Sequence, residues 1–166
     1  MRSWVIRFGV LLLLLALGIW GWRALFPNPE KAIRARLAEL AQLASFGPTE
    51  APMAKLLNAQ KLASFFTPDV TIKVDWANDT ATASGRDAIA NAAMAARQRF
   101  GMLTVQFSDL VLTVAPDKQS AIAELSARGK TGGEADTIGP QELTLRMKKD
   151  GGTWMVSRIE GVKTLR

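Results

Sequence analysis

The sequence predicts an α+β domain behind an apolar N-terminal segment. Three observations lead there. A long uncharged run lies close to Met1, three later stretches carry apolar residues at helical spacing, and the rest alternates apolar and polar residues between turn signals. The expected architecture is a transmembrane helix in residues 1–26. Residues 27–166 then form a cone of three helices packed on a curved antiparallel sheet.

The N-terminal run extends uncharged from Phe8 to Trp22. As a helix it spans about 22 Å, short of the roughly 30 Å hydrocarbon core. Arg7 and Arg23 can snorkel, which makes residues 4–26 the embedded length. Trp4, Trp20 and Trp22 then sit near the two interfaces, where indoles are favoured. A cleaved signal peptide is the competing reading, with Ala16-Leu17-Gly18 as its cleavage site. The indoles directly after that site favour an uncleaved anchor. Basic residues flank the run on both sides. A short N-terminus ahead of an anchor stays in the cytoplasm, which puts the domain on the outer, periplasmic side of the cytoplasmic membrane. The absence of cysteine fits either side.

Asn28 and Pro29 read as the cap and first position of a helix. Ile33, Leu37, Leu40, Leu43 and Ala44 follow on one face, with Lys31, Arg34 and Arg36 on a basic face suited to lipid headgroups or to solvent. Gly47-Pro48 ends it. A second helix is predicted from Met53 to Phe66, with Met53, Leu56, Leu57, Leu62, Phe65 and Phe66 as its apolar surface. Residues 70–76 alternate Val70, Ile72, Val74 and Trp76 against polar neighbours, the pattern of a half-buried strand. Residues 77–87 read as a turn-rich connection or small hairpin. A third helix starts at Ser84 or Gly85 and turns Ile89, Ala93, Met94, Ala96 and Phe100 inward. In residues 102–115 the alternation slips phase at Ser108-Asp109, the mark of a bulge or sharp bend. Residues 120–130 form the next strand, residues 131–140 a loop. Two strands then close the chain around Asp150-Gly151-Gly152.

These segments resemble the nuclear transport factor 2-like, cystatin-like α+β cone superfamily, which includes ketosteroid isomerases and polyketide cyclases. "ASFFTPDVTIKV" resembles its passage from second helix to first strand. "SGRDAIANAA" resembles its glycine-started third helix, and "QELTLRMKKDGGTWMVSRIE" its final hairpin. The resemblance implies a pocket inside the cone. An N-terminal membrane segment ahead of such a domain is similar to membrane-anchored bacterial members.

The chain contains no His, Cys or Tyr. That removes the commonest general base, the thiolate nucleophile and the nitrogen and sulfur metal ligands, so no cofactor or metal is expected. The preferred expectation is a membrane-tethered, non-catalytic binding or assembly module of the cell envelope. Its partners are the membrane, a protein or second copy, and a small apolar ligand. The alternative is an isomerase-, cyclase- or hydratase-like enzyme using a pocket carboxylate. Asp75, beside Trp76 at the end of the first strand, is the catalytic candidate, against the plainer reading of an exposed strand-end aspartate. Trp76 and Trp154 are the other pocket candidates, against a place in the core. Glu124, Arg128, Glu142, Arg146, Arg158 and Glu160 read as a solvated outer ladder. Net charge is +6, with three of the 21 basic residues in the N-terminal segment. Without a basic cluster interleaved with aromatics, nucleic-acid binding is not expected.

Overall fold

The computed structural model describes residues 28–76, 79–132 and 137–162, with the side chains of 75–81 and 137 outside that description. The expected transmembrane helix at residues 1–26 falls outside the described residues. Among the described residues no helix is long and apolar enough to cross a membrane.

Helix α1 (Pro29–Ala44) begins as its cap demands, with Asn28 Oδ1 accepting from the amides of Glu30 at 3.0 Å and Lys31 at 3.3 Å. It buries Ile33, Leu37 and Leu40. Arg36 does not join a solvated basic face. Its guanidinium lies 3.5 Å from the centroid of the Phe65 ring, and its Nε donates to the Trp154 carbonyl at 3.3 Å. Lys31 and Arg34 remain exposed.

Helix α2 (Pro52–Ala63) stops three residues short of the predicted end. Phe66 instead opens strand β1 (Phe66–Trp76), drawn into the sheet by its pairing with Val156. Only Ala59, Leu62 and Ala63 of α2 are buried, and Met53, Leu56 and Leu57 face outward. Strand β2 (Asp79–Ser84) returns antiparallel to β1, and Gly85, at φ +83°, swings the chain into α3 (Arg86–Arg99). A left-handed residue here is easiest for glycine.

Strand β3 (Thr104–Val114) carries the expected bulge. Its register with β4 (Ser120–Lys130) shifts between Ser108 and Val111, and Asp109 sits at φ +54°. Strands β5 (Thr137–Asp150) and β6 (Thr153–Gly161) meet across Gly151-Gly152, both at positive φ as a tight hairpin of this length requires. The predicted loop at 131–140 gives way to β5 from Thr137 onward.

The six strands form one sheet in the order β2-β1-β6-β5-β4-β3. One feature departs from the antiparallel expectation: β1 and β6 pair in parallel. The final hairpin enters the sheet between β1 and β4, so β6 comes to lie beside a strand running its own way. Alternate residues of the central strands point to the helices, among them Ala121, Ala123 and Leu125 on β4, Leu145 and Met147 on β5, and Trp154 and Val156 on β6. Helix α1 lies against β3 and touches β6, α3 lies against β1 and β2, and α2 packs on α3 and α1.

Candidate functional site

A cleft of about 440 Å³ opens between α1 and the β3–β4 edge of the sheet. One stripe of α1 forms its first wall, at the helical spacing of Arg34, Leu37, Ala38 and Ala41. The second wall is β3 at its bulge, with Gln106, Phe107, Ser108 and Leu110, joined by Arg128 from β4. The bulge keeps Phe107 and Leu110 both half-buried although they are three residues apart, because the slip of register resets the alternation. Ala38 and Ala41 are too short to fill the gap that longer side chains would close.

The walls are pinned where α1 ends. Ser45 Oγ accepts from the Val105 amide at 2.9 Å and donates to the Ala41 carbonyl at 2.8 Å. Phe46 and Leu103 exchange backbone hydrogen bonds of 2.8 and 2.9 Å. From this fixed end the cleft runs back along α1 towards Arg34.

The floor is apolar and the polar groups are cations, an amide and a hydroxyl. Among the described residues no carboxylate lines the cleft. Neither the Arg34 nor the Arg128 side chain has an ion-pair or hydrogen-bond partner among the described residues. Arg128, read from the sequence as part of the outer ladder, therefore belongs to this cleft. Gln106 faces it across the β3–β4 register.

The other candidates lie elsewhere. Asp75 and Trp76 occupy the end of β1, their backbones paired with Thr80 and Asp79; their side chains are outside the description. Trp154 is 4% exposed, in the core, and does not line the cleft. Asp69, exposed in β1, is held below the usual carboxylate range, first by the Thr67 hydroxyl and then by its own backbone amide. The Thr67 contact is poorly directed, since its buried Oγ1 has no partner of good hydrogen-bond geometry. Asp69 does not line the cleft.

Glu124, Glu142, Arg146 and Arg158 are exposed as the ladder reading requires. Arg146 and Arg158 stand directly opposite each other, and Glu160 relieves the like charges by meeting both, at 3.9 and 3.3 Å. A shallow outer hollow of about 370 Å³ collects Asp109, Glu124 and Glu142. Among the described residues no group of carboxylates is arranged to hold a metal ion.

The SnoaL-like domain family model matches residues 55–160. No curated protein matches the chain. Among solved structures, the chain is similar to a nuclear transport factor 2-like protein with a cystatin-like fold from Novosphingobium aromaticivorans. The TM-score is 0.63 at 18% identity, covering 86% of each chain. A protein of unknown function from Mycobacterium tuberculosis superposes with a TM-score of 0.63 at 18% identity, over 81% of this chain and 76% of that one. A scytalone dehydratase-like protein, also from Novosphingobium aromaticivorans, gives 0.60 at 17% identity, over 82% and 84%. Similarity at these identities establishes fold alone. Helix α1, one wall of the cleft, precedes the stretch matched by the family model. With more than half of its length matched, the chain belongs to the SnoaL-like domain family and has the nuclear transport factor 2-like, cystatin-like fold.

Proposed function

We propose that the protein is a non-catalytic binding module, tethered to the cytoplasmic membrane by its N-terminal apolar run, whose cleft holds a small, largely apolar ligand on the outer side. The observation that carries this reading is the chemistry of the cleft walls: an apolar floor, no carboxylate among the described residues, and no His, Cys or Tyr anywhere in the chain. A volume of about 440 Å³ falls in the usual range for small-molecule sites. The uncharged run from Phe8 to Trp22, flanked by Arg7 and Arg23, supports the tether.

The test uses the full chain in phosphatidylcholine nanodiscs and Ala38→Trp, which fills the cleft from the α1 side. Small apolar probes should bind the parent protein and not the variant. Equal binding by both would remove the cleft from the account.

A second reading has one specific support, the similarity to a scytalone dehydratase-like protein. In that reading Asp75 acts as a base in a dehydration or isomerisation. Turnover abolished by Asp75→Asn would establish it against the binding module.

The partner proposed for the outer sheet face is a second copy. Val111 and Ile122 are exposed there, with acidic groups at Asp109, Glu124 and Glu142 towards one end and, apart from Glu160, basic groups at Arg146, Lys148 and Arg158 towards the other. A two-fold axis would set each end against its opposite. Sedimentation of the nanodisc-embedded chain reads the copy number, and strict monomers would end this part.

A further inference from the structure

We infer that the cleft between α1 and the β3–β4 edge selects amphipathic anions, small molecules with an apolar body and a carboxylate. The inference rests on the binding-module reading of the same cleft and names its ligand class. Two arginines, Arg34 and Arg128, both exposed to solvent, line a cleft whose other described walls are apolar or neutral. They come from different elements, and among the described residues neither has an acidic partner. Elsewhere in the domain, arginines near apolar surface are engaged. Arg36 is held by Phe65 and Trp154, Arg97 by Glu50 and two carbonyls, and Arg86 by the Phe66 carbonyl at 2.7 Å. The two cleft arginines are the exceptions.

A guanidinium offers planar, paired donors that match a carboxylate and stays charged at any working pH. Two cations on the walls of one hollow make its potential positive, which favours an anion there while its apolar body covers Leu37, Phe107 and Leu110. Gln106 and Ser108 add neutral hydrogen-bonding groups at the same rim. A cationic ligand gains nothing here, and an uncharged one draws little from either arginine.

The experiment compares naphthylacetate with its uncharged isostere naphthylacetamide. Each is titrated into the full chain in phosphatidylcholine nanodiscs, with empty nanodiscs as the blank. The carboxylate should bind at least about tenfold tighter than the amide, with a preference that shrinks as salt rises from about 50 to about 500 mM. Arg34→Gln and Arg128→Gln should each weaken carboxylate binding several-fold. The double variant should bring it to the level of the amide measured in the same variant. Equal affinities in the parent protein, or a double variant that keeps the preference, would overturn the inference and leave the apolar cleft standing. Binding of neither probe would remove the cleft as a ligand site and the inference with it.

Discussion

Arg97 sits in the interior on α3, its side chain only 1% exposed. Its Nη2 donates to the Leu43 carbonyl at 2.6 Å and its Nη1 to the Ala93 carbonyl at 3.2 Å, while Nε lies 3.3 Å from Glu50 Oε2. Leu43 is in the last turn of α1, where free carbonyls and the helix dipole attract a cation. Asn58 of α2 completes the group by donating to Glu50 Oε1 at 2.6 Å, so one guanidinium ties three helices. Arg97→Met should destabilise the domain by about 3–5 kcal/mol, because Glu50 is left buried without its counter-charge. Arg97→Met with Glu50→Gln should regain a large part of that, both read by urea unfolding. A single variant within about 1 kcal/mol of the parent would show the ion pair to be incidental. The sequence held a signal for this residue. Ile89, Ala93 and Arg97 are spaced four apart and share one helix face, but a cation at the third position reads as a solvated last turn. Ala96 and Phe100 look the better inward choices by composition, and only the tertiary positions of Leu43 and of Glu50, a residue of the loop before α2, make the arginine the buried one.

At the scale of the element, period was legible and ends were not. The Asn28 cap, the strand at 120–130, the Gly151-Gly152 turn and the bulge at Ser108-Asp109 all follow from local rules, and the structure has each of them. The end of α2 was hidden because Leu62, Phe65 and Phe66 keep helical spacing while a distant strand decides where Phe66 goes. The cleft was hidden for the same reason, since its walls are 60 or more residues apart and are pinned together through Ser45 with Val105 and Phe46 with Leu103. Two predictions belong here. On α2, Leu57→Lys should leave stability within about 0.5 kcal/mol, since Leu57 is 57% exposed. Leu62→Ala, one turn further on the buried side, should cost about 2–5 kcal/mol. The reverse order in thermal unfolding would mean that the exposed face of α2 is covered. In β3, Asp109 holds a left-handed backbone at φ +54° while its side chain accepts from the Ser108 hydroxyl at 2.9 Å. Asp109→Gly should therefore be neutral or stabilising by up to about 1 kcal/mol, and Asp109→Val clearly destabilising. Equal effects would indicate that the bulge relaxes.

For the whole molecule the decisive strand is the last. The sheet order puts β6 between β1 and β5, so it alone joins the β1–β2 hairpin to the β3–β5 meander. Its contacts are far apart in sequence: Phe66 pairs with Val156 and Thr71 with Arg158, across some 90 residues. Helix α1 also relies on it, through Arg36 Nε and the Trp154 carbonyl. No hairpin rule could have predicted the parallel neighbour, because parallel pairing is set by where the ends of the chain are carried, not by a turn. It follows that the domain closes late and as a unit, since the loop entropy of that pairing must be met before its ladder forms. A chain ending at Asp150 keeps every helix and five strands in sequence, yet should show no cooperative urea transition. Arg158→Pro, which removes an amide from a strand paired on both sides, should lose most of the stability by the same route. In the parent protein the amides of Val156 and Ile159 should exchange with deuterium among the slowest, near the global unfolding limit, and those of the edge strands β2 and β3 faster. Rapid exchange in β6, or a cooperative transition in the shortened chain, would place the joint of the domain elsewhere. The remaining candidate would then be α1, pinned to β3 at Phe46 and Leu103.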